Sequence, residues 1–222
     1  HGRALPLAQG VKMANKDLTV IASGGDGDGY AIGMGHTIHA LRRNMNMTYI
    51  VMDNQIYGLT KGQTSPSSAK GFVTKSTPKG NIEKNVAPLE LALSSGATFV
   101  AQGFSSDIKA LTKMIEDAIH HDGFSFVNVF SPCVTYNKVN TYDWFKEHLT
   151  SIDDIEGYDI TDKQLAMKTV LDHESLVKGI VYQDTTTPSY ESQISELEHE
   201  ALAKRDIHIT EETFNDLTAQ FL

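Results

Sequence analysis

Apolar residues along the first part of the chain alternate between short continuous runs and runs with helical spacing. Leu18–Ser23 and Met47–Met52 are apolar runs of strand length, and Tyr30–Arg43 between them is apolar at helical spacing. Two further strands are predicted at Ala97–Gln102 and Phe124–Phe130. Because strands here alternate with helices, the pattern predicts an α/β fold: a parallel sheet in three layers, with helices on both faces.

The other segments complete this prediction. Helical patterns precede or separate the strands at Leu5–Asn15, Pro88–Ser95, Asp107–His121 and Tyr142–His148. Later patterns are looser and predict an amphipathic helix at Leu165–Leu176, a strand at Val177–Tyr182, and helices at Ile194–Lys204 and Thr210–Phe221. We therefore expect one domain over residues 1–150 and a carboxyl-terminal extension over residues 151–222, which packs on the domain or on a partner.

Polar and glycine-rich segments follow two of the predicted strands. The segment Gly24–Tyr30, here called the glycine turn, follows the first strand, and Asp53–Gly58 follows the second. Carboxyl ends of parallel strands meet at one edge of a sheet, where open sheets bind ligands. The Asp26 carboxylate and the Asn54 amide oxygen suit Mg²⁺ that also holds phosphate oxygens, with the Ile56 carbonyl as the simplest third ligand. The residues predict a diphosphate bound through Mg²⁺ beside the amino end of a helix.

Composition and charge narrow the range of partners. The chain has 222 residues, a formal net charge of −9 and a pI near 5.4, which argue against nucleic acid or an anionic membrane surface as the main partner. The longest apolar runs are too short to span a bilayer. Cys133 is the single cysteine, so no internal disulfide can form, and we expect a cytoplasmic protein.

Several motifs, taken together and in order, resemble one family. Gly25-Asp26-Gly27 followed by Asn54 is similar to the thiamine diphosphate motif. The longer segments resemble the β subunit of 2-oxoacid:ferredoxin oxidoreductases; they are His1–Pro6, Gly24–Gly29, Tyr57–Pro66 and Ser131–Cys133. This resemblance implies oxidative decarboxylation of a 2-oxoacid to an acyl-coenzyme A, with electrons passed to ferredoxin.

The resemblance also implies roles for individual residues. Thiamine diphosphate and Mg²⁺ are the implied cofactors, and Asp26, Asn54 and Ile56 are the implied Mg²⁺ ligands. The implied cofactor-binding residues are His1, Gly2, Arg3, Gly25, Asp26, Gly27, Asp28, Asn54, Ile56, Tyr57, Gly58, Leu59 and Thr60. Lys61 is the cation of the loop beside the reaction centre, and we expect it to meet an anionic group of the substrate or of coenzyme A.

Cys133 has an implied role in the same family, as one ligand of a 4Fe-4S cluster near the thiamine. Four thiolates normally hold such a cluster, and the family carries the other three on a segment before His1. We therefore expect a chain shortened at its amino terminus, in which the cluster is absent or poorly held. Because the carboxylate that activates thiamine comes from the α subunit in this family, we expect a heterodimer that is active only with its α subunit.

Three alternatives remain open on the sequence. The first is another thiamine diphosphate-dependent decarboxylase or synthase. The second is a Rossmann-type nucleotide binder, although the glycine spacing of Gly25–Gly29 does not fit that motif well. The third is a non-catalytic fragment whose function is to dock with an α subunit.

Overall fold

Six strands form one sheet in the computed structural model, which describes residues 1–198, 200–206 and 208–221. The strands are β1 (Ile21–Gly25), β2 (Met47–Asp53), β3 (Phe99–Phe104), β4 (Phe124–Phe130), β5 (Thr150–Ser151) and β6 (Val177–Gln183). Their order is β1-β2-β4-β3-β6-β5, and the first four are parallel. The predicted α/β class with a parallel sheet is thus confirmed. The later strand β6 joins the same sheet but runs antiparallel to β3.

Helices cover both faces of this sheet, as the three-layer prediction requires. The helices of the described residues are α1 (Ala4–Ala14), α2 (Met34–Arg43), α3 (Pro88–Ser94), α4 (Ile108–His120), α5 (Tyr142–His148), α6 (Lys163–Asp172) and α7 (Glu211–Ala219). The last of these, α7, buries none of its residues and does not contribute to the layers. Side chains alternate along β4, because successive residues of a strand point to opposite faces. Phe124 and Phe126 pack with α1, α2, α3 and α6, whereas Val127 and Val129 pack with α4.

Local chemistry explains where several helices begin. Pro88 opens α3, a position where its missing N–H costs nothing. Asp107 caps α4 by accepting a hydrogen bond from the Ala110 N–H. At the carboxyl ends of β3 and β4, Phe145 of α5 stacks on Phe130 with ring centroids 4.5 Å apart. This aromatic contact closes the sheet beside the edge at which the site was predicted.

The chain beyond β5 is partly built into the sheet. Strand β6 pairs with β3, so part of the segment 151–222 belongs to the central sheet. The division into residues 1–150 and 151–222 stays a prediction. The predicted helix Ile194–Lys204 is wrong: the structure has short 3-10 turns at Ser195–Leu197 and Leu202–Lys204, and His199 lies outside the described residues. Of the helices in the described ranges, none has the length and apolar character needed to cross a membrane.

Candidate functional site

A cavity of about 680 Å³ opens at the carboxyl ends of β1 and β2. It is lined by most of the residues predicted from the sequence; these are His1, Arg3, Gly25, Asp26, Gly27, Asp28, Asn54, Ile56, Tyr57, Gly58, Leu59 and Thr60. The structure therefore brings Asp26 and Asn54, which come from neighbouring strand ends, to one shared cavity. Their roles as metal ligands stay predictions.

Three predicted site residues lie outside the lining of this cavity. Gly2 is buried beside it, and Lys61 is exposed on the adjoining loop. Cys133 lies behind Gly58, since a Cβ built on that glycine would be 3.8 Å from the Cys133 Sγ. Conversely, Ser23 and Gly24 of β1 line the cavity, although the sequence did not single them out as ligand contacts.

The glycine turn leads directly from strand to helix. Helical backbone begins at Asp26, immediately after β1, and continues as a π-helical turn over Asp28–Ile32 before α2. The Gly33 N–H donates to the Asp28 carbonyl oxygen at 2.9 Å, a bond across five residues. The sequence predicted an α-helix from Tyr30 and missed this wider turn. Because π turns inside helices frequently mark functional sites, its position at the cavity is informative.

A side chain at Gly27 would collide with the Tyr57 ring at the wall of the cavity. A Cβ on Gly27 would lie 2.1 Å from the Tyr57 Cε1, which is far inside van der Waals contact. The Tyr57 ring of the loop after β2 therefore packs directly on the Gly27 backbone, and only glycine leaves room for it there.

Asp26 is a buried carboxylate with an open coordination position. Its residue is 3% exposed, and its Oδ2 has no hydrogen-bond partner among the described residues. Burial raises the pKa of Asp26, while the Ser65 hydroxyl and the backbone amides of Gly27 and Asn54 act in the opposite direction. A buried polar atom without a partner is costly, so an oxygen of this kind fits a hard cation.

Asn54 is held in place by its own loop. Its Oδ1 accepts a hydrogen bond from the Ile56 N–H at 3.0 Å, which leaves a second lone pair on that oxygen. Gln55 between them has a left-handed φ of 59°, and the Ser68 hydroxyl fixes its carbonyl at 2.7 Å. The amide oxygen is thus oriented before any ligand arrives. Clusters of three or more His, Cys, Asp or Glu are absent from the described residues, so a cation here would need amide and carbonyl oxygens as well.

The loop from Tyr57 to Gln63 forms one rim of the cavity. It is closed by two backbone hydrogen bonds, from the Tyr57 N–H to the Gln63 carbonyl at 2.9 Å and from the Gly62 N–H to the Tyr57 carbonyl at 2.8 Å. Leu59 at its tip is 100% exposed, and Lys61 has a φ of 74°. A fully exposed leucine at a cavity rim offers an apolar contact to whatever fills or covers the cavity.

A buried network of polar side chains lies behind the site and was not predicted from the sequence. The Asn128 Nδ2 lies 3.5 Å from the Asp53 Oδ2 and donates to the Gln102 Oε1 at 2.9 Å. The Asn128 Oδ1 accepts from the Tyr30 hydroxyl at 2.7 Å. Burial, and secondly the charge of Asp26, raises the pKa of Asp53 well above its ordinary value. The one available signal was that Asp53 directly precedes Asn54 at the end of a strand.

Comparison with known families agrees with this geometry. A model described as "Thiamine pyrophosphate enzyme, C-terminal TPP binding domain" matches residues 1–129. A second model, which describes the C-terminal part of the pyruvate ferredoxin oxidoreductase β chain, matches residues 133–199. The fold is therefore that of a thiamine pyrophosphate-binding domain.

Individual relatives define the family more narrowly. The chain is 43% identical to a 2-oxoacid:ferredoxin oxidoreductase subunit beta from Sulfolobus sp, over 87% of this chain and 67% of the relative. It is 42% identical to the subunit beta from Saccharolobus solfataricus, over 88% and 68%. The chain belongs to the family of 2-oxoacid:ferredoxin oxidoreductase β subunits, as the sequence motifs predicted. It spans about two thirds of the length of these curated relatives.

A solved structure resembles the chain over nearly its whole length. It is the 2-oxoglutarate:ferredoxin oxidoreductase from Magnetococcus marinus, which holds 2-oxoglutarate, coenzyme A and succinyl-CoA. The TM-score is 0.86 at 37% identity, and the match covers 98% of this chain and 73% of that one. The α/β architecture described above is thus that of an oxidoreductase of this family.

Proposed function

We propose that this chain is the cofactor-binding β subunit of an enzyme that oxidatively decarboxylates a 2-oxoacid to an acyl-coenzyme A and reduces ferredoxin. The observation that carries this proposal is the pairing of Asp26 and Asn54 at one cavity, where the described residues provide no partner for one carboxylate oxygen of Asp26. In this proposal Asp26, Asn54 and the Ile56 carbonyl hold Mg²⁺. When bound, thiamine diphosphate supplies the carbanion chemistry that decarboxylation needs.

The remaining residues of the chain would position the cofactor and the substrate. Gly25 and Gly27 let the backbone approach the phosphates, and the backbone N–H groups at the start of the helix after β1 favour their negative charge. Tyr57–Thr60 border the cavity from the loop side. Lys61 lies on the same loop and is proposed to meet a carboxylate or phosphate group of the substrate or of coenzyme A.

A 4Fe-4S cluster is proposed for the complete subunit. Cys133 follows β4 at the same edge of the sheet, and its Sγ lies close to Gly58 at the rim of the cavity. A cluster needs four thiolates, so this cysteine would supply one of them and the complete subunit the others. The position beside the cavity suits electron transfer away from the reaction centre and on to ferredoxin.

An α subunit is the proposed partner, and the cytoplasm is the proposed location. Thiamine activation requires a carboxylate at the aminopyrimidine, and the glutamate that provides it is proposed to come from that subunit. Reconstitution of the complete β subunit with its α subunit tests the whole proposal. We expect ferredoxin reduction that depends on a 2-oxoacid, on coenzyme A and on Mg²⁺ with thiamine diphosphate.

The same assay separates the alternatives. Decarboxylation without reduction of ferredoxin or a viologen would indicate another thiamine diphosphate enzyme. Binding of thiamine diphosphate to the chain alone, measured by calorimetry with and without Mg²⁺, would separate a cofactor-binding subunit from a docking fragment. Binding that is equally strong with EDTA would contradict the proposed Mg²⁺ site.

A further inference from the structure

Asp28 of the glycine turn makes its contacts to the segment His1–Arg3. Its Oδ1 accepts a hydrogen bond from the Gly2 N–H at 2.5 Å and lies 3.2 Å from the His1 Nδ1. Its Oδ2 packs on the backbone of the preceding strand, since a Cβ built on Gly24 would lie 2.7 Å from it. The Oδ1 of Asp28 is therefore bonded within the protein, whereas the Asp26 Oδ2 has no hydrogen-bond partner among the described residues.

The segment held by Asp28 packs tightly on the π-helical turn. Gly2 has a left-handed φ of 71°, and a Cβ there would lie 2.6 Å from the Ile32 Cγ2 and 3.0 Å from the Gly33 N. The Asp28 carbonyl also closes the π turn by accepting from the Gly33 N–H. One residue thus shapes the turn through its backbone and holds the amino-terminal segment against that turn through its side chain.

Arg3 is the residue that this arrangement presents to the cavity. It is the only lysine or arginine among the described residues that line the cavity, whereas Asp26 and Asp28 contribute two carboxylates. Besides the proposed Mg²⁺, a diphosphate in such a site gains from a cationic side chain, and arginine forms strong charge-assisted hydrogen bonds to phosphate oxygens. The carboxylate of Asp28 would repel the diphosphate unless its own charge were engaged by the Gly2 N–H and His1.

We propose that Asp28 is a positioning residue, which holds His1–Arg3 at the mouth of the cavity so that Arg3 faces the diphosphate of the cofactor. This inference rests on the proposed function, because it takes thiamine diphosphate as the ligand. The direct cofactor contact that the sequence predicted for Asp28 and Gly2 stays a prediction. Asp28 acts through Arg3 and does not touch the reacting atoms.

Backbone hydrogen exchange of the ligand-free chain tests the first half of the proposal. In Asp28→Ala the Gly2 amide loses its acceptor, and we expect it to exchange about tenfold faster. Asp28→Asn keeps a side-chain oxygen as acceptor and should give an intermediate rate; it also serves if Asp28→Ala does not fold. Asp17→Asn, an exposed aspartate near the same terminus, is the matched control and should leave Gly2 unchanged. Unchanged Gly2 exchange in both Asp28 variants would overturn the proposal.

A double-mutant cycle tests the second half. Arg3→Gln and Asp28→Ala should each weaken Mg²⁺-dependent binding of thiamine diphosphate by about tenfold. Combined, they should be no weaker than Arg3→Gln alone, because Asp28 acts through Arg3. An equal loss from Asp28→Ala in the Arg3→Gln background would show instead that Asp28 acts on the metal or the cofactor. If the parent chain binds no thiamine diphosphate, the proposed function is what fails, and the Gly2 exchange still decides whether Asp28 holds the segment.

Discussion

A polar side chain is buried at each edge of the sheet, Asn44 at the amino ends of the strands and Asp26 at their carboxyl ends. The two differ in whether the protein itself satisfies their hydrogen bonds. At the amino-end edge, the Asn44 Oδ1 accepts from the Thr98 hydroxyl at 2.6 Å and from the Phe124 N–H at 2.8 Å. Its Nδ2 donates to the Pro188 carbonyl at 3.1 Å. At the carboxyl-end edge, the Asp26 Oδ2 has no partner among the described residues.

This contrast separates a structural polar group from one prepared for a ligand. Asn44 ties the end of α2, the start of β4 and the later segment at Pro188 together, so its hydrogen bonds are already made in the folded chain. Asp26 is also buried, but its Oδ2 has no partner in the described part of the chain. Because an unpartnered buried carboxylate destabilises a fold, we propose that a ligand at the cavity satisfies this one.

Replacing Asp26 should have the largest effect on function. Asp26→Asn removes the charge but keeps the shape, and we expect Mg²⁺-dependent binding of thiamine diphosphate to weaken by more than about 100-fold, since even indirect ligand partners cost 10–100-fold. The ligand-free chain should be as stable as the parent or more so, because the cost of burying a carboxylate charge is removed. Calorimetry and urea unfolding measure the two effects, with Asp17→Asn as control. Unchanged binding would contradict the contrast with Asn44.

Replacing Asn44 should produce the reverse pattern. Asn44→Ala leaves the Phe124 N–H unsatisfied and removes one of the two partners of the Thr98 hydroxyl, the other being the His121 Nε2 at 2.7 Å. It also keeps a left-handed φ of 54° on a residue that disfavours it. We expect the free energy of unfolding to fall by about 3 kcal/mol. Cofactor affinity, measured well below the unfolding midpoint, should be unchanged. Asn44→Gly also removes the side chain but tolerates the left-handed φ. Its smaller loss of stability would therefore isolate the contribution of the hydrogen bonds.

The same two edges show what could be predicted from the sequence. The bounds of β4 and α5 were predicted to the residue, because alternating aromatic and β-branched residues and a short aromatic helical run are local signals. Asp26 and Asn54 were found through their spacing after two strands. The direction of β6 was not predicted, because periodicity carries no information on orientation. The π turn was also missed, because helical spacing does not show that Gly33 approaches the Asp28 carbonyl oxygen, where a Cβ would lie only 2.3 Å away.

The buried network of polar side chains behind the site was not predicted from the sequence for a similar reason. Asn128 meets Asp53 across 75 residues of sequence, and in a strand it reads as an ordinary buried position. The wrong helix at Ile194–Lys204 shows the converse error. Helical spacing was present there, but the segment packs as short turns, with Glu191 just before it accepting from the Asn46 N–H at 3.0 Å.

Asp53 should make the stability of the ligand-free chain depend on pH. Its folded-state pKa is raised above the ordinary 3.8, mainly by burial, so the folded chain binds a proton more tightly than the unfolded chain does. The stability that Asp53 contributes should therefore be fully present below its unfolded-state pKa and be lost as pH rises through the raised pKa. Asp53→Asn should reduce this slope by up to about 1.4 kcal/mol per pH unit.

Urea unfolding at several pH values, with EDTA present, measures this dependence. Added Mg²⁺ with thiamine diphosphate should flatten the slope in the parent, because a cation near Asp26 favours the ionised carboxylates. Identical slopes for Asp53→Asn and the parent would show that Asp53 is ionised in the folded chain. Asp17→Asn again controls for loss of a negative charge.

Lys61 should give the smallest effects, divided between function and stability. It is exposed and has a φ of 74°, a conformation that costs a residue with a side chain about 1 kcal/mol. In the reconstituted complex Lys61→Ala should raise the KM for the 2-oxoacid or coenzyme A about tenfold, as expected for loss of a charge-assisted contact. Lys61→Arg should retain most of the affinity, and Lys70→Ala, an exposed lysine further along, should change nothing.

Lys61→Gly sharpens the argument, because it removes the ammonium and the backbone strain together. We expect it to raise the KM as much as Lys61→Ala does, yet to increase the free energy of unfolding by about 0.5–1 kcal/mol relative to the parent. Lys61 would then resemble Asp26: both residues would lower the stability of the ligand-free chain and support ligand binding at the carboxyl-end edge of the sheet. A gain in stability with no change in KM for either substrate would instead place Lys61 with the ordinary surface lysines.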